Sequence, residues 1–235
     1  MSASTGSRVV LAVVMGVTAI AASPARAAPD PRAARCTIVG TSEPDLLRGT
    51  SERDVICGGG GGDTIFGLSG GDILRGGQGP DNLHGDRGDD IVLGGPGRDR
   101  LGGDGGDDRI VGASGSDRIA GDRGDDRIRG GGGHETIHPG LGADRAHGGR
   151  GRDDIEDFQG RDVLRGDAGI DRITAFRGRD VVDGGPGGDE CLETGDERGG
   201  DVILGGPGRD RYHADHDDRV VDAEVREAFT CEVSS

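Results

Sequence analysis

The sequence predicts an all-β solenoid of nonapeptide repeats wound two to a coil. Three observations carry this: an aspartate recurs every nine residues, a glycine stands two places before it, and one aliphatic residue stands two places after it. From Gly58 the chain reads GGGGGDTIF, GLSGGDILR, GGQGPDNLH, GDRGDDIVL and GGPGRDRLG, with aspartate in the sixth place of each block. The fixed register matters because composition alone points elsewhere. With 51 glycines in 235 residues, no tryptophan, one tyrosine and four phenylalanines, the chain would read as disordered if its glycines had no period.

The sixth-place acids are Asp45, Asp54, Asp63, Asp72, Asp81, Asp90, Asp99, Asp108, Asp117, Asp126, Glu135, Asp144, Asp153, Asp162, Asp171, Asp180 and Asp189. An insertion around residues 193–195 shifts the phase by three before Asp201 and Asp210 resume it. From the block of Asp63 onward the fourth place is always glycine, and the eighth is Ile, Leu or Val except at Ala146, Cys191 and Tyr212. The first two blocks carry Glu43 and Glu52 instead of that glycine and read as degenerate capping turns. Places seven to nine predict a three-residue strand whose middle side chain alone points inward.

A second period lies inside the first. Place two is Gly59, Gly77, Gly95, Gly131, Gly149 and Gly185 in one set of blocks, and Leu68, Asp86, Asp104, Asp122, Phe158 and Phe176 in the alternate set, with Gly140, Ala113 and Asp167 departing from the alternation. The structural unit is therefore eighteen residues with two unequal turns.

Charge and the ends of the chain bound the setting. The basic residues, 28 in all, are all arginine, against 44 acids, for a formal net charge of −16. That surface attracts cations and repels phosphate backbones, so no nucleic-acid partner is expected. Arg8, the apolar run over residues 9–22 and Ala25-Arg26-Ala27 read as a signal peptide over residues 1–27, and the run is too short for a transmembrane segment. A lead-in follows over residues 28–39, then the array over 40–213 and a C-terminal cap over 214–235. Four cysteines in an exported chain favour disulfides. Of three possible pairings, Cys36 with Cys57 and Cys191 with Cys231 are expected, because each staples an end where a coil lacks a neighbour.

These blocks resemble the RTX, or hemolysin-type, calcium-binding nonapeptide family, whose pattern is G-G-x-G-x-D-x-U-x. The resemblance covers residues 40–213 and implies a parallel β-roll, a right-handed β-solenoid with two repeats per coil. It also implies calcium held between turns on one edge of successive coils. By position the metal ligands would be Asp63, Asp81, Asp99, Asp117, Asp153, Asp171 and Asp189 on one edge, and Asp72, Asp90, Asp108, Asp126, Asp144, Asp162 and Asp180 on the other. Sites near Glu135, Pro139, Asp157 and Ala175 depart from the pattern. Carboxylates and turn carbonyls are oxygen donors, which suit a hard ion such as Ca2+. Stacked carboxylates one strand spacing apart repel without a cation, so a chain disordered in chelator and folded in calcium is expected.

The expected function is extracellular calcium binding by a secreted structural or surface-interaction solenoid, not an enzyme. The alternatives are a β-helix enzyme acting on polysaccharide and an RTX-type toxin. Gly67-Leu68-Ser69-Gly70-Gly71 matches G-x-S-x-G but falls inside a repeat turn rather than between a strand and a helix. Arginines at place seven, such as Arg109, Arg127 and Arg145, are expected to face outward and partly offset the acidic turns.

Overall fold

A computed structural model describes residues 8–10, 35–195, 200–214 and 216–221. They form two parallel sheets, one of 12 strands and one of 11, stacked face to face with successive strands alternating between them. The first, sheet A, runs through Asp45–Arg48, Thr64–Phe66, Asn82–His84 and Arg100–Gly105 toward Tyr212–His213. The second, sheet B, runs from Ile38–Val39 through Val55–Gly60, Ile73–Gln78 and Ile91–Pro96 to Arg219–Val221. One nonapeptide supplies a strand to sheet A and the next a strand to sheet B. Partners across each ladder are eighteen residues apart, as in Arg109↔Arg127 and Ile110↔Ile128. The chain is thus a β-solenoid of about ten turns. Among the described residues no helix is long and apolar enough to cross a membrane.

The core is two files of eighth-place side chains meeting between the sheets. Leu47, Ile65, Leu83, Leu101, Ile119, Ile137, Ile155 and Ile173 come from sheet A, and Ile56, Leu74, Val92, Ile110, Ile128, Leu164, Val182 and Ile203 from sheet B, all buried. Each coil buries little more than one aliphatic pair, so no coil holds its shape without the coils on either side.

Two details differ from the sequence reading. Several strands are longer than three residues, such as Arg109–Ser114 and Arg145–Gly151, because the first turn residues also stack in register, with Ala113 opposite Gly131 and Ser114 opposite Gly132. Near the insertion the inward residue is Leu192, not Cys191: Leu192 pairs with Ile173 and joins the core, while Cys191 pairs with Arg172. One inserted residue therefore falls between Asp189 and Leu192, and two more precede Asp201, whose carboxylate accepts from the Asp180 amide. The leucine is the better match for the file of aliphatics, and the slip leaves Cys191 at the edge of the core for its disulfide.

The ends are stapled as expected at one side. Cys36 and Cys57 form a disulfide with Cα atoms 5.9 Å apart, joining the lead-in to the second strand of sheet B. Cys191 is also disulfide-bonded; its expected partner, Cys231, lies outside the described residues. Most of the stretch read as a signal peptide lies outside them too, but Arg8–Val10 forms a strand parallel to Asp45–Arg48 at the end of sheet A.

The fourth-place glycine, constant from the block of Asp63 onward, has a steric cause. At Gly115, with φ +132°, a Cβ would sit on the carbonyl oxygen of Gly97 one coil back, whereas at third-place Gly132 it would meet nothing within 4 Å. Gly115→Ala is expected to destabilise the array by about 2 to 4 kcal/mol. Gly132→Ala is expected to stay within about 0.5 kcal/mol of the parent. Thermal melts followed by circular dichroism check both.

Candidate metal centre

Each sixth-place aspartate sits at the corner where a turn enters a strand, and its polar groups are engaged by the neighbouring coils. Its backbone N–H donates to Oδ1 of the aspartate one coil on: Asp81 to Asp99 at 2.9 Å, Asp90 to Asp108 at 2.7 Å and Asp108 to Asp126 at 2.8 Å. Its carbonyl accepts from the next coil, as Asp90 does from Arg109 N–H at 2.9 Å. The result is two carboxylate ladders, one on each edge. Asp63, Asp81, Asp99, Asp117, Asp153, Asp171 and Asp189 fall on one, and Asp72, Asp90, Asp108, Asp126, Asp144, Asp162 and Asp180 on the other, the division anticipated from the eighteen-residue unit.

The other carboxylate oxygen is left over. Oδ2 of Asp63, Asp72, Asp81, Asp90, Asp99, Asp108, Asp117, Asp126, Asp144, Asp153, Asp162, Asp171 and Asp189 is buried with no hydrogen-bond partner. A buried acceptor left unsatisfied costs about 1 to 3 kcal/mol, more when charged. A whole file of them calls for an outside cation. First-place glycines explain the space around these atoms: at Gly85 a Cβ would lie 2.5 Å from Asp90 Oδ2 and 2.7 Å from the Gly103 carbonyl oxygen of the next coil. Oxygens of two coils thus approach the position that a Cβ would take more closely than a Cβ tolerates. Among the described residues no three Asp, Glu, His or Cys side chains converge as a metal cluster. That fits a turn which brings one carboxylate and would draw its remaining donors from backbone carbonyls.

The two capping turns are built differently. Thr41 donates its N–H to Asp45 Oδ2 at 2.6 Å and its hydroxyl at 2.9 Å, and Thr50 does the same to Asp54 at 2.7 and 2.8 Å. The Oδ2 that is orphaned in the later turns is thus engaged within the protein in both, and Asp54 also accepts the Thr37 hydroxyl on Oδ1 at 3.2 Å.

The model of the RTX calcium-binding nonapeptide repeat matches residues 37–65, 66–101, 102–137, 138–158 and 156–191, more than half of the chain. The chain belongs to this RTX repeat family. No curated protein matches it. Family membership and solenoid together give calcium binding and a structural role as the coarse function. The oxygen-only donors and orphaned carboxylates of these RTX turns fit that ion.

The electrostatics of the RTX turns agree. Burial raises the carboxyl groups of Asp72 and Asp81 to about 6, Asp90 and Asp99 to about 7 and Asp108 to about 8, opposed by the backbone N–H each accepts and reinforced by the neighbouring carboxylates. Glu135, the one glutamate in the file, is pushed to about 8 by burial and by Asp153.

Sequence reasoning missed one acid. Asp157 replaces a first-place glycine and is fully buried, accepting from the Gly140 and Gln159 amides at 3.0 and 3.2 Å. Its carboxyl meets that of Asp162, and burial raises both. The signal was a carboxylate in the place whose Cβ position otherwise belongs to the sixth-place Oδ2.

Proposed function

We propose that the protein is a secreted calcium-dependent structural solenoid whose turns hold several Ca2+ ions through the sixth-place aspartates from Asp63 to Asp189, and that it is not an enzyme. The observation that carries this is the buried, partnerless Oδ2 repeated on both edges. Calcium supplies positive charge to those oxygens and crosslinks adjacent coils, so that metal-binding free energy becomes folding free energy. Extracellular modules of this kind bind at about 10⁻⁴ to 10⁻³ M, which would leave the chain unloaded in a low-calcium cytosol and loaded after export.

Export is supported by the residues 1–27 pattern and by disulfide use. Cleavage after Ala27 would remove Arg8–Val10 and leave Asp45–Arg48 as the end strand of sheet A, where the Thr41 turn already satisfies its aspartate. The domain reading keeps residues 28–39 as lead-in, 40–213 as array and 214–235 as a cap.

The test is far-UV circular dichroism of residues 28–235 titrated from chelator into millimolar calcium, with magnesium as control. The expected result is a coil-to-β transition with calcium alone. A spectrum equally β-rich in chelator at neutral pH, with no calcium response, would refute the reading.

A further inference from the structure

The two outer faces of the roll differ in charge. On sheet B the outward seventh and ninth places from residue 73 to residue 165 hold Arg75, Arg109, Arg127, Arg129, Arg145 and Arg165, and none holds an aspartate or glutamate. On sheet A the same places include Asp154 and Glu156. An acid-free basic face in a chain of net charge −16 is a segregation that the overall balance hides.

At its centre Arg109, Arg127 and Arg145 stand directly opposite one another on three adjacent strands. Like charges in that relation destabilise a sheet. Arg109, Arg127, Arg129 and Arg145 are all exposed, and none forms an ion pair with a described carboxylate, whereas Arg165 pairs with Asp183 and His147 with Asp167. The guanidiniums border a shallow groove of about 170 Å³ floored by Ile110 and Ile128, with Val111 and His147 on its far side.

We infer that this face of sheet B is a binding site for a linear acidic polysaccharide bearing carboxylate or sulfate groups. Its shape selects the class of polymer. The two outward columns of a three-residue strand lie about 7 Å apart, while the stretch from Arg75 to Arg165 covers five strand spacings, about 24 Å, with arginine on every coil but that of Ile91 and Leu93. Aspartate-rich turns flank it on both sides and repel any wide anionic body, a nucleic-acid duplex or a bilayer surface among them. A thin chain laid along the solenoid axis avoids them and, from Arg109 through Arg127 and Arg145 to Arg165, meets a guanidinium about every 4.8 Å. Each guanidinium offers a planar fork of donors matched to carboxylate or sulfate oxygens. Single-stranded nucleic acid is also thin, but proteins hold it largely by stacking bases on aromatic rings. The face has no Phe, Tyr or Trp among its described seventh- and ninth-place residues from 73 to 165, and its one imidazole, His147, lies 3.1 Å from Asp167.

The experiment measures binding of chondroitin sulfate to the full secreted chain by titration calorimetry, in whichever of calcium or chelator gives the β-rich dichroism spectrum. Dextran and a single-stranded oligothymidylate serve as comparison ligands. The expected result is binding of chondroitin sulfate that weakens as salt rises, with dextran inert. The triple variant R109Q/R127Q/R145Q should bind about tenfold more weakly with an unchanged spectrum, and the sheet A variant R100Q/R118Q should bind like the parent. No binding by the parent, equal binding by the triple variant, or tighter binding of oligothymidylate would each overturn the assignment. Because the fold is read separately by dichroism, a failed calcium transition is distinguishable from a failed polysaccharide site.

Discussion

In chelator, the chain is expected to be coil at pH 8 and to gain β-structure, read by far-UV circular dichroism, as the pH is lowered toward 5.5. The cause is the direction in which the buried carboxyls are shifted. Asp72, Asp126 and Asp171 rise to about 6, Asp90, Asp99, Asp144, Asp162 and Asp189 to about 7, and Asp108 and Glu135 to about 8. In the unfolded chain the same groups titrate near 4. Between about pH 4 and 8 the folded state therefore binds more protons than the unfolded one, and stability falls as pH rises through that window. Below pH 4 both states are protonated and the penalty vanishes. Calcium reverses the sign, because the ion needs the carboxylate and must displace its proton. Affinity should accordingly rise with pH over the same window, and adding calcium at pH 6 to a weakly buffered solution should release protons that an electrode can count. A dichroism spectrum in chelator that ignores pH over this window would mean that the orphaned oxygens are satisfied in some other way.

The winding was legible because one residue type in each block has a single task. The sixth-place aspartate, the fourth-place glycine and the eighth-place aliphatic mark corner, close approach and core, and a nine-residue period leaves no freedom in how they stack. The alternation at place two was legible for the same reason, although its physical content was not. Asp86, Asp104 and Asp122 adopt φ of +72° there, the left-handed conformation that glycine holds in the alternate blocks, and Asp104 anchors His84 at 3.3 Å. Aspartate tolerates that region better than most residues, so an aspartate at place two did not mean a different backbone.

What stayed hidden depended on three-dimensional neighbours. Cys191 occupies the eighth place by counting, and only packing shows that Leu192 replaces it. Thr41 and Thr50 look like ordinary turn residues until their hydroxyls are found on Asp45 and Asp54. The arginines look interspersed with acids along the chain. Once alternate blocks go to opposite sheets, those at Arg109, Arg127 and Arg145 fall on one face.

Asp108→Asn should separate the two roles that a sixth-place aspartate can have. Asparagine retains a carbonyl oxygen that can accept from the Asp90 amide, the bond now 2.7 Å long, so the turn keeps its hydrogen bond. In place of the orphaned Oδ2 it puts an uncharged amide NH2, directed at the space between Gly103 and the Gly121 carbonyl oxygen. If Asp108 were only a turn former, the substitution would change little with or without calcium. As a ligand at a site with no internal counterion, it should move stability in opposite directions in the two states. In chelator the variant loses a buried negative charge beside Asp90 and Asp126, so its folded form should be favoured by about 1 to 3 kcal/mol and its acid-induced gain of β-structure should begin at higher pH than the parent's. In saturating calcium it lacks an anionic ligand between two coils, and its midpoint should fall below that of the parent. Asp54→Asn provides the contrast, since Thr50 already satisfies that carboxylate: it should lose stability in both states. A shift of the same sign for Asp108→Asn in chelator and in calcium would return the aspartate ladder to a role in turn geometry alone.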